Sequence, residues 1–223
     1  PDGKFLTPFH PTLGRDFEPN PGFHEGNSWN YSFYVPHDIR GLAKLMGGER
    51  KFVDKLQSVF DKENYDPANE PDIAYPYLFT YFPKEAWRTQ RITSKLLSKY
   101  YRNEPSGIPG NDDTGAMSAW AIFSMLGFYP DCPGSMSYGL TTPTFDKVTI
   151  HLDTKYYKNP TLVIETRPVD EHTNRQHIYF DEFQIGNKLY KNTYRINHDE
   201  LMNAGKITFF TKLVGGTPEI TVD

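Results

Sequence analysis

Apolar residues recur at helical spacing through the first half of the chain and at strand spacing through the second. From Trp29 onward, Phe33, Tyr34, Ile39, Leu42, Ala43, Leu45 and Met46 fall three, four and seven apart, the period of one helix face. Pro36 lacks the N–H a helix interior needs, so it reads as the start of a second segment. Gly47-Gly48 closes that stretch, and Phe52, Leu56, Val59 and Phe60 predict an amphipathic helix over 49–60. A short buried helix is expected over 73–81. A longer one is expected over 84–102, with Trp87, Ile92, Leu96, Leu97 and Tyr100 on one side and basic residues on the other. Positions 114–126 are small or apolar on almost every face, which predicts a helix buried all round.

After Gly127 the pattern changes. Pro130, Pro133, Gly134, Gly139 and Pro143 make 128–143 read as an irregular connector. Alternating stretches at 147–152, 161–166, 177–185, 188–189 and 206–213 read as strands, with Gly186-Asn187 as a turn. Helices followed by strands predict a mixed α and β chain in two domains, 1–135 and 136–223. Residues 1–28 are loop-like, punctuated by Pro8, Pro11, Pro19, Pro21, Gly14, Gly22 and Gly26.

Composition removes several function classes. A net charge of −4 argues against a nucleic-acid surface, which needs clustered basic excess. No stretch has the length and apolarity of a membrane span. The lone Cys132 leaves no internal disulfide and no multi-cysteine zinc site. Phosphate loops, GxSxG elbows and HExxH motifs do not occur. Aromatic residues reach 15%, which suits both a large core and a surface that stacks sugar rings. The opening Pro1-Asp2-Gly3-Lys4 has no initiator Met or signal peptide and reads as an internal piece of a longer polypeptide.

Three acidic clusters sit in Gly- and Pro-framed loops beside the predicted helices, where a scaffold can hold a carboxylate over a cavity. In the first, Glu25 precedes a helix, with Gly26 beside it and His24, Trp29 and Tyr31 as aromatic neighbours. Such a setting would raise its pKa and make it a general acid, although an acidic residue also simply suits a helix N-terminus. The second cluster is Gly110-Asn111-Asp112-Asp113-Thr114-Gly115, two carboxylates at a helix start. One can cap the helix while the other faces a pocket, kept ionised by the helix dipole and so suited to act as a base. The third, Asp66-Pro67-Ala68-Asn69-Glu70-Pro71-Asp72, offers oxygen donors to a hard cation without EF-hand spacing, and solvated acidic loops look the same. His10, His37 and His151 have no partner at metal spacing. Asn30-Tyr31-Ser32 matches a glycosylation sequon in an aromatic, helical setting that makes it a chance match.

The stretch 110–120, continued by Leu126-Gly127-Phe128-Tyr129-Pro130 and Pro133-Gly134, resembles the signature of glycoside hydrolase family 92. Glu25-Gly26-Asn27-Ser28-Trp29-Asn30-Tyr31 with Val35-Pro36-His37-Asp38 is similar to a second family motif. Asn69-Glu70-Pro71, Pro76-Tyr77-Leu78 and Trp87-Arg88-Thr89-Gln90 are similar to a third, and Asn187-Lys188 with 196–209 resembles the C-terminal strands. The resemblance implies a Ca²⁺-dependent, inverting exo-α-mannosidase acting on mannose-containing glycans, secreted or periplasmic, and α-1,2-acting. It implies the later helices of an (α/α)₆ toroid followed by a C-terminal β-sandwich segment, with the N-terminal part of the polypeptide outside these residues. Carried over by motif, Glu25 resembles the general acid and Asp113 the general base, with Asp112 as helper or alternative. His24, Trp29 and Trp87 are expected to contact sugar, and Asn69 and Glu70 to hold the calcium ion. Two other classes stay open. A carbohydrate-binding or structural module would have no use for a Glu25–Asp113 pair, and a related phosphorylase would need basic residues near the acidic loops.

Overall fold

The computed structural model describes residues 3–14, 22–169 and 178–213. The chain is mixed α and β. Its first part holds α1 (Ser28–Tyr31), α2 (Ile39–Leu45), α3 (Glu49–Asp61) and α4 (Glu70–Ile73). Two 3₁₀ segments follow, Tyr75–Tyr81 and Pro83–Glu85, then α5 (Trp87–Tyr100) and α6 (Ala116–Leu126). The second part holds β1 (Phe128–Tyr129), β2 (Ser137–Leu140), β3 (Lys147–His151), β4 (Thr161–Pro168), β5 (Tyr179–Ile185), β6 (Lys188–Lys191) and β7 (Arg195–Asn197). It closes with α7 (His198–Met202) and β8 (Lys206–Lys212).

The departures from the sequence reading have local causes. The helical run from Trp29 breaks into α1 and α2 around Pro36, and Asp38 restarts it by accepting the Gly41 N–H at 2.8 Å. The expected helix over 73–81 is a 3₁₀ segment with Pro76 in its first turn. Helix α6 starts at Ala116 because Asp113, Thr114 and Gly115 have φ of 45°, 59° and 92° and cannot belong to a right-handed helix. Burial all round α6 is not observed, since Ile122 is 55% exposed. The segment read as an irregular connector contains β1 and β2, too short to show alternation. Helix α7 interrupts what was expected to be strand: Asn197 accepts the Asp199 N–H at 2.9 Å, and Asp199 and Glu200 occupy the first turn. The strand expected over 177–185 is β5, with residue 177 outside the described residues.

The strands form two sheets, ordered β1-β2-β7 and β3-β4-β8-β5-β6. All pairs are antiparallel except β4 with β8. The helical core gathers Phe33, Phe52, Leu56, Tyr77, Phe79 and Trp120, and the sheet core Leu162, Ile164, Phe180, Phe183, Ile207 and Phe209. Helix α5 ties the two together. The buried Gln90 side chain accepts the Phe180 N–H at 2.8 Å and donates to the Phe180 carbonyl at 3.0 Å, standing in for a neighbouring strand. Thr93 and Thr141 hydroxyls meet at 2.6 Å beside it.

Candidate active site

The first acidic loop is held from both sides. Asn27 caps α1 by accepting the Trp29 N–H at 2.9 Å, and the Asn30 side chain returns the bond by accepting the Asn27 N–H at 2.9 Å. Asn30 Nδ2 donates at 2.8 Å to Oδ2 of Asp72, which is fully buried and also accepts the Asp66 N–H at 2.8 Å. The Tyr75 hydroxyl donates to the Asn30 carbonyl at 2.6 Å. Asn30 is thus 3% exposed and wholly committed, which removes its sequon from consideration. One buried carboxylate therefore locks the start of α1 against the 66–72 loop.

Glu25 sits on this frame with a left-handed backbone, φ 54°. The carbonyl before it accepts the Tyr31 hydroxyl, and its own carbonyl accepts Asn69 Nδ2. A Cβ at Gly26 would lie 3.1 Å from the Asn30 side chain and 3.2 Å from Tyr31, a tight fit to which these side chains would have to yield. The Glu25 side chain is 52% exposed, with His24 Nε2 3.6 Å from Oε1. The apolar enclosure expected around this carboxyl is thus not supplied by the described residues. Burial first, then the charges of Glu25, Asp72 and Glu70, push the Tyr31 hydroxyl pKa up, an electrostatic sign that these acids surround it.

The other two clusters converge on the same place. Asn69 bridges the third loop to Glu25, and a Cβ at Gly110 would come 2.9 Å from Ala68, so the second loop packs against the third. The two aspartates divide their work. Asp112 Oδ1 accepts the Ser118 N–H at 2.8 Å in the first turn of α6. Asp113 is exposed, and its carboxylate makes no hydrogen bond to any described residue. Tyr101 marks the inner side, its hydroxyl pushed up to about 12 by burial and then by Asp112. Tyr101 stacks on Trp120 at 5.5 Å, and Trp120 Nε1 donates to the Ile73 carbonyl at 2.7 Å, anchoring α6 to α4.

Asn69 bears on the metal question. Its Nδ2 faces the Glu25 carbonyl, which fixes the amide orientation, and its buried Oδ1 meets no partner among the described residues. An orphaned amide oxygen beside the exposed Glu70 carboxylate is chemistry that fits a hard cation. Among the described residues no three His, Cys, Asp or Glu side chains gather as a metal site, so the fit is that of a partial ligand set.

The sugar-contact candidates separate. His24 lies beside Glu25, while Trp29 packs on the helical core with Lys55 Nζ 5.9 Å above its ring. Trp87 lines a cavity between α3 and α5, under the Arg88 guanidinium at 4.7 Å. Sequence reasoning named Asp72 and Asn30 only as members of their clusters and gave neither a role in holding the site. The available signal was the sequon asparagine sitting in an apolar helix, a position where a polar side chain needs buried partners.

A model of the glycosyl hydrolase family 92 catalytic domain matches residues 1–212, and the chain belongs to that family. A protein described as an uncharacterized secreted glycosidase, from Arthroderma benhamiae, is 30% identical over 186 residues, covering 82% of this chain and 23% of its own length. Two solved structures from Bacteroides thetaiotaomicron, a family GH92 α-mannosidase and a family GH92 inverting mannosidase, each superpose with a TM-score of 0.79 at 26% identity. Each match covers 96% of this chain, but the chain spans only 28% and 30% of their respective lengths.

Proposed function

We propose that this chain carries the acid, the base and part of the calcium site of an inverting exo-α-mannosidase that removes terminal, α-1,2-linked mannose from glycans. The observation that carries this reading is the convergence of three acidic loops on Glu25 through Asn69, with Asp113 left free of other duties. Glu25, as general acid, would protonate the departing glycosidic oxygen. Asp113 would take a proton from the attacking water, and Asp112 would hold the base loop to α6. Inversion asks for the two carboxyl groups about 6.5–9.5 Å apart, with the water between them. Asn69 and Glu70 would hold Ca²⁺, whose chemistry is to bind the sugar O2 and O3 pair. His24, beside Glu25, would contact the sugar.

The whole enzyme is proposed to close these helices into an (α/α)₆ toroid, with residues 1–135 in the catalytic domain and 136–223 in a β-rich one. Leu45 at 87% exposure and Ile122 at 55% mark faces on which the rest of the polypeptide would pack, so the chain alone is expected to be inactive. Secretion or periplasmic export fits the secreted fungal relative.

Acid and base are separated by paired variants in the complete enzyme. Glu25→Gln should slow unactivated mannosides by about 10³-fold yet largely spare aryl mannosides whose leaving group needs no proton, while Asp113→Asn should slow both alike. Equal losses for both variants on both substrates would rule out Glu25 as the acid. Chelation with EGTA should abolish turnover and calcium should restore it, with zinc unable to substitute. Undiminished turnover after exhaustive chelation would remove the metal from the scheme.

A further inference from the structure

Residues 23, 24 and 26, on both sides of Glu25, meet one side chain, that of Tyr31. The Phe23 ring stacks on the Tyr31 ring at 5.8 Å and 30°. The Tyr31 hydroxyl donates to the His24 carbonyl, in the peptide that enters Glu25. A Cβ at Gly26 would stand 3.2 Å from Tyr31 Cε2, so the ring edge lies against the residue that follows. A left-handed backbone at a non-glycine residue persists only where its surroundings over-determine it, and Glu25 has φ 54°. His24, the ion-pair partner of the carboxylate at 3.6 Å, has a side chain 88% exposed and does little to fix it.

Tyr31 can be a fixed arm only if α1 is itself fixed, and four residues are too few to hold a helix by their own bonds. The residue before it supplies the anchor. Asn30 Nδ2 donates to the buried Asp72 carboxylate at 2.8 Å, and the Asn30 carbonyl accepts the Tyr75 hydroxyl at 2.6 Å. That hydroxyl in turn accepts the Phe33 N–H at 3.0 Å, closing the end of α1. Asp72 therefore fixes Asn30, and Tyr31 passes the constraint on to the backbone that carries Glu25. The Asp113 loop is tied elsewhere, through Asp112 to the start of α6. Loosening Tyr31 should thus disturb protonation of the leaving group and leave activation of the water alone.

We infer that Tyr31 is a positioning residue for the general acid, aiming Glu25 at the departing oxygen without touching the sugar. The inference deepens the function proposed above and rests on Glu25 as the acid. Its test is Tyr31→Phe in the complete enzyme, which keeps the ring and its stacking and removes only the donor. Misplacing a catalytic group by about 1 Å can cost about 10²-fold, so one lost tether should slow unactivated mannosides about tenfold and leave aryl mannosides within about twofold. KM should stay unchanged for both. In a Glu25→Gln background, Tyr31→Phe should cost nothing further on the unactivated substrate, because the two residues act as one unit. The ratio between substrates, taken on one preparation, does not depend on the folded fraction, so a variant that is merely less stable cannot imitate this result. Both substrates slowed alike, neither slowed, or a full additional loss in the Glu25→Gln background would overturn the inference. A raised KM for both would place the hydroxyl on the sugar and overturn it as well. Failure of the underlying function shows separately, as no turnover by the unsubstituted enzyme or as Glu25→Gln failing to separate the two substrates.

Discussion

In the sheet region Asn192, at φ 49°, is the one described non-glycine residue with a left-handed backbone, and asparagine tolerates that conformation. The helical region puts Glu25, Glu63, Asp113 and Thr114 there, two of them the proposed acid and base. Buried polar side chains divide the same way. Asn27, Asn30, Asn69, Asp72, Gln90 and Thr93 lie in the helical region, whereas the described residues beyond α6 bury only Asp131, Thr141, Thr208 and Thr211. The sheet satisfies its backbone by pairing, which needs no special side chains. The helical region instead uses buried amides and a carboxylate to hold strained loops in place. Strain kept at that cost is what a positioned site requires.

This contrast is most severely tested by alkali. Burial raises the hydroxyl pKa of Tyr65, Tyr75, Tyr77, Tyr81, Tyr101 and Tyr129 above the ordinary 10.0, with neighbouring acids adding to most of them. A raised folded pKa means that the stability is intact below pH 10 and is lost as pH climbs past it. Each further pH unit costs about 1.4 kcal/mol for every tyrosine still held protonated. Several such groups together remove a large part of a typical total stability of about 5–15 kcal/mol by pH 12. Tyr129, although on β1, packs in the helical core, and the sheet core with the residues packed on it holds fewer, Tyr138, Tyr190 and Tyr194. Circular dichroism between pH 8 and 12 should show helix lost before strand. The reverse order would break the comparison.

Next in size is the tie between the regions. Arg195 on β7 holds buried Asp131 at 2.8 and 3.1 Å, Thr80 at 3.0 Å and Ser137 at 2.9 Å, and lies 4.0 Å over the Tyr81 ring. Arg195→Ala leaves the Asp131 charge buried and should cost about 3 kcal/mol in urea unfolding, loosening both regions together. A loss under about 1 kcal/mol would show the regions to be independent. The smallest effect has the opposite sign. Thr114 is β-branched at φ 59°, so Thr114→Gly should stabilise the fold by about 0.5–1 kcal/mol while lowering turnover of the complete enzyme. Unchanged turnover would separate the strain from function.

What could be read in advance followed from period and breakers. Helix α3 and strands β3, β4 and β8 were legible because their apolar spacing is long and uninterrupted. Helix α7 and strands β1 and β2 were not, because two to five residues cannot display a period, and their formation depends on partners distant in sequence, such as β2 against β7. At the site, the acidic residues stood out by their glycine and proline frames. The division of labour between Asp112 and Asp113 did not, since either could cap α6 and only the backbone at 113–115 decides which. Asp72 was indistinguishable from its solvated neighbours in one dimension. Its importance comes from a hydrogen bond across 42 positions to Asn30.

The place of β8 governs how the chain can be made. It lies at the centre of the five-stranded sheet, parallel to β4 on one side and antiparallel to β5 on the other. The β3–β4 and β5–β6 hairpins are both finished before β8 is synthesised, and isolated hairpins are marginal in water. At roughly 5–20 residues per second, β4 waits for seconds with an unpaired edge while the intervening residues are added. Helices α2, α3 and α5 draw on contacts already synthesised and can settle in that interval. During elongation the helical part can therefore settle while the two hairpins still depend on a strand to come, and that is the window in which a chaperone would be needed.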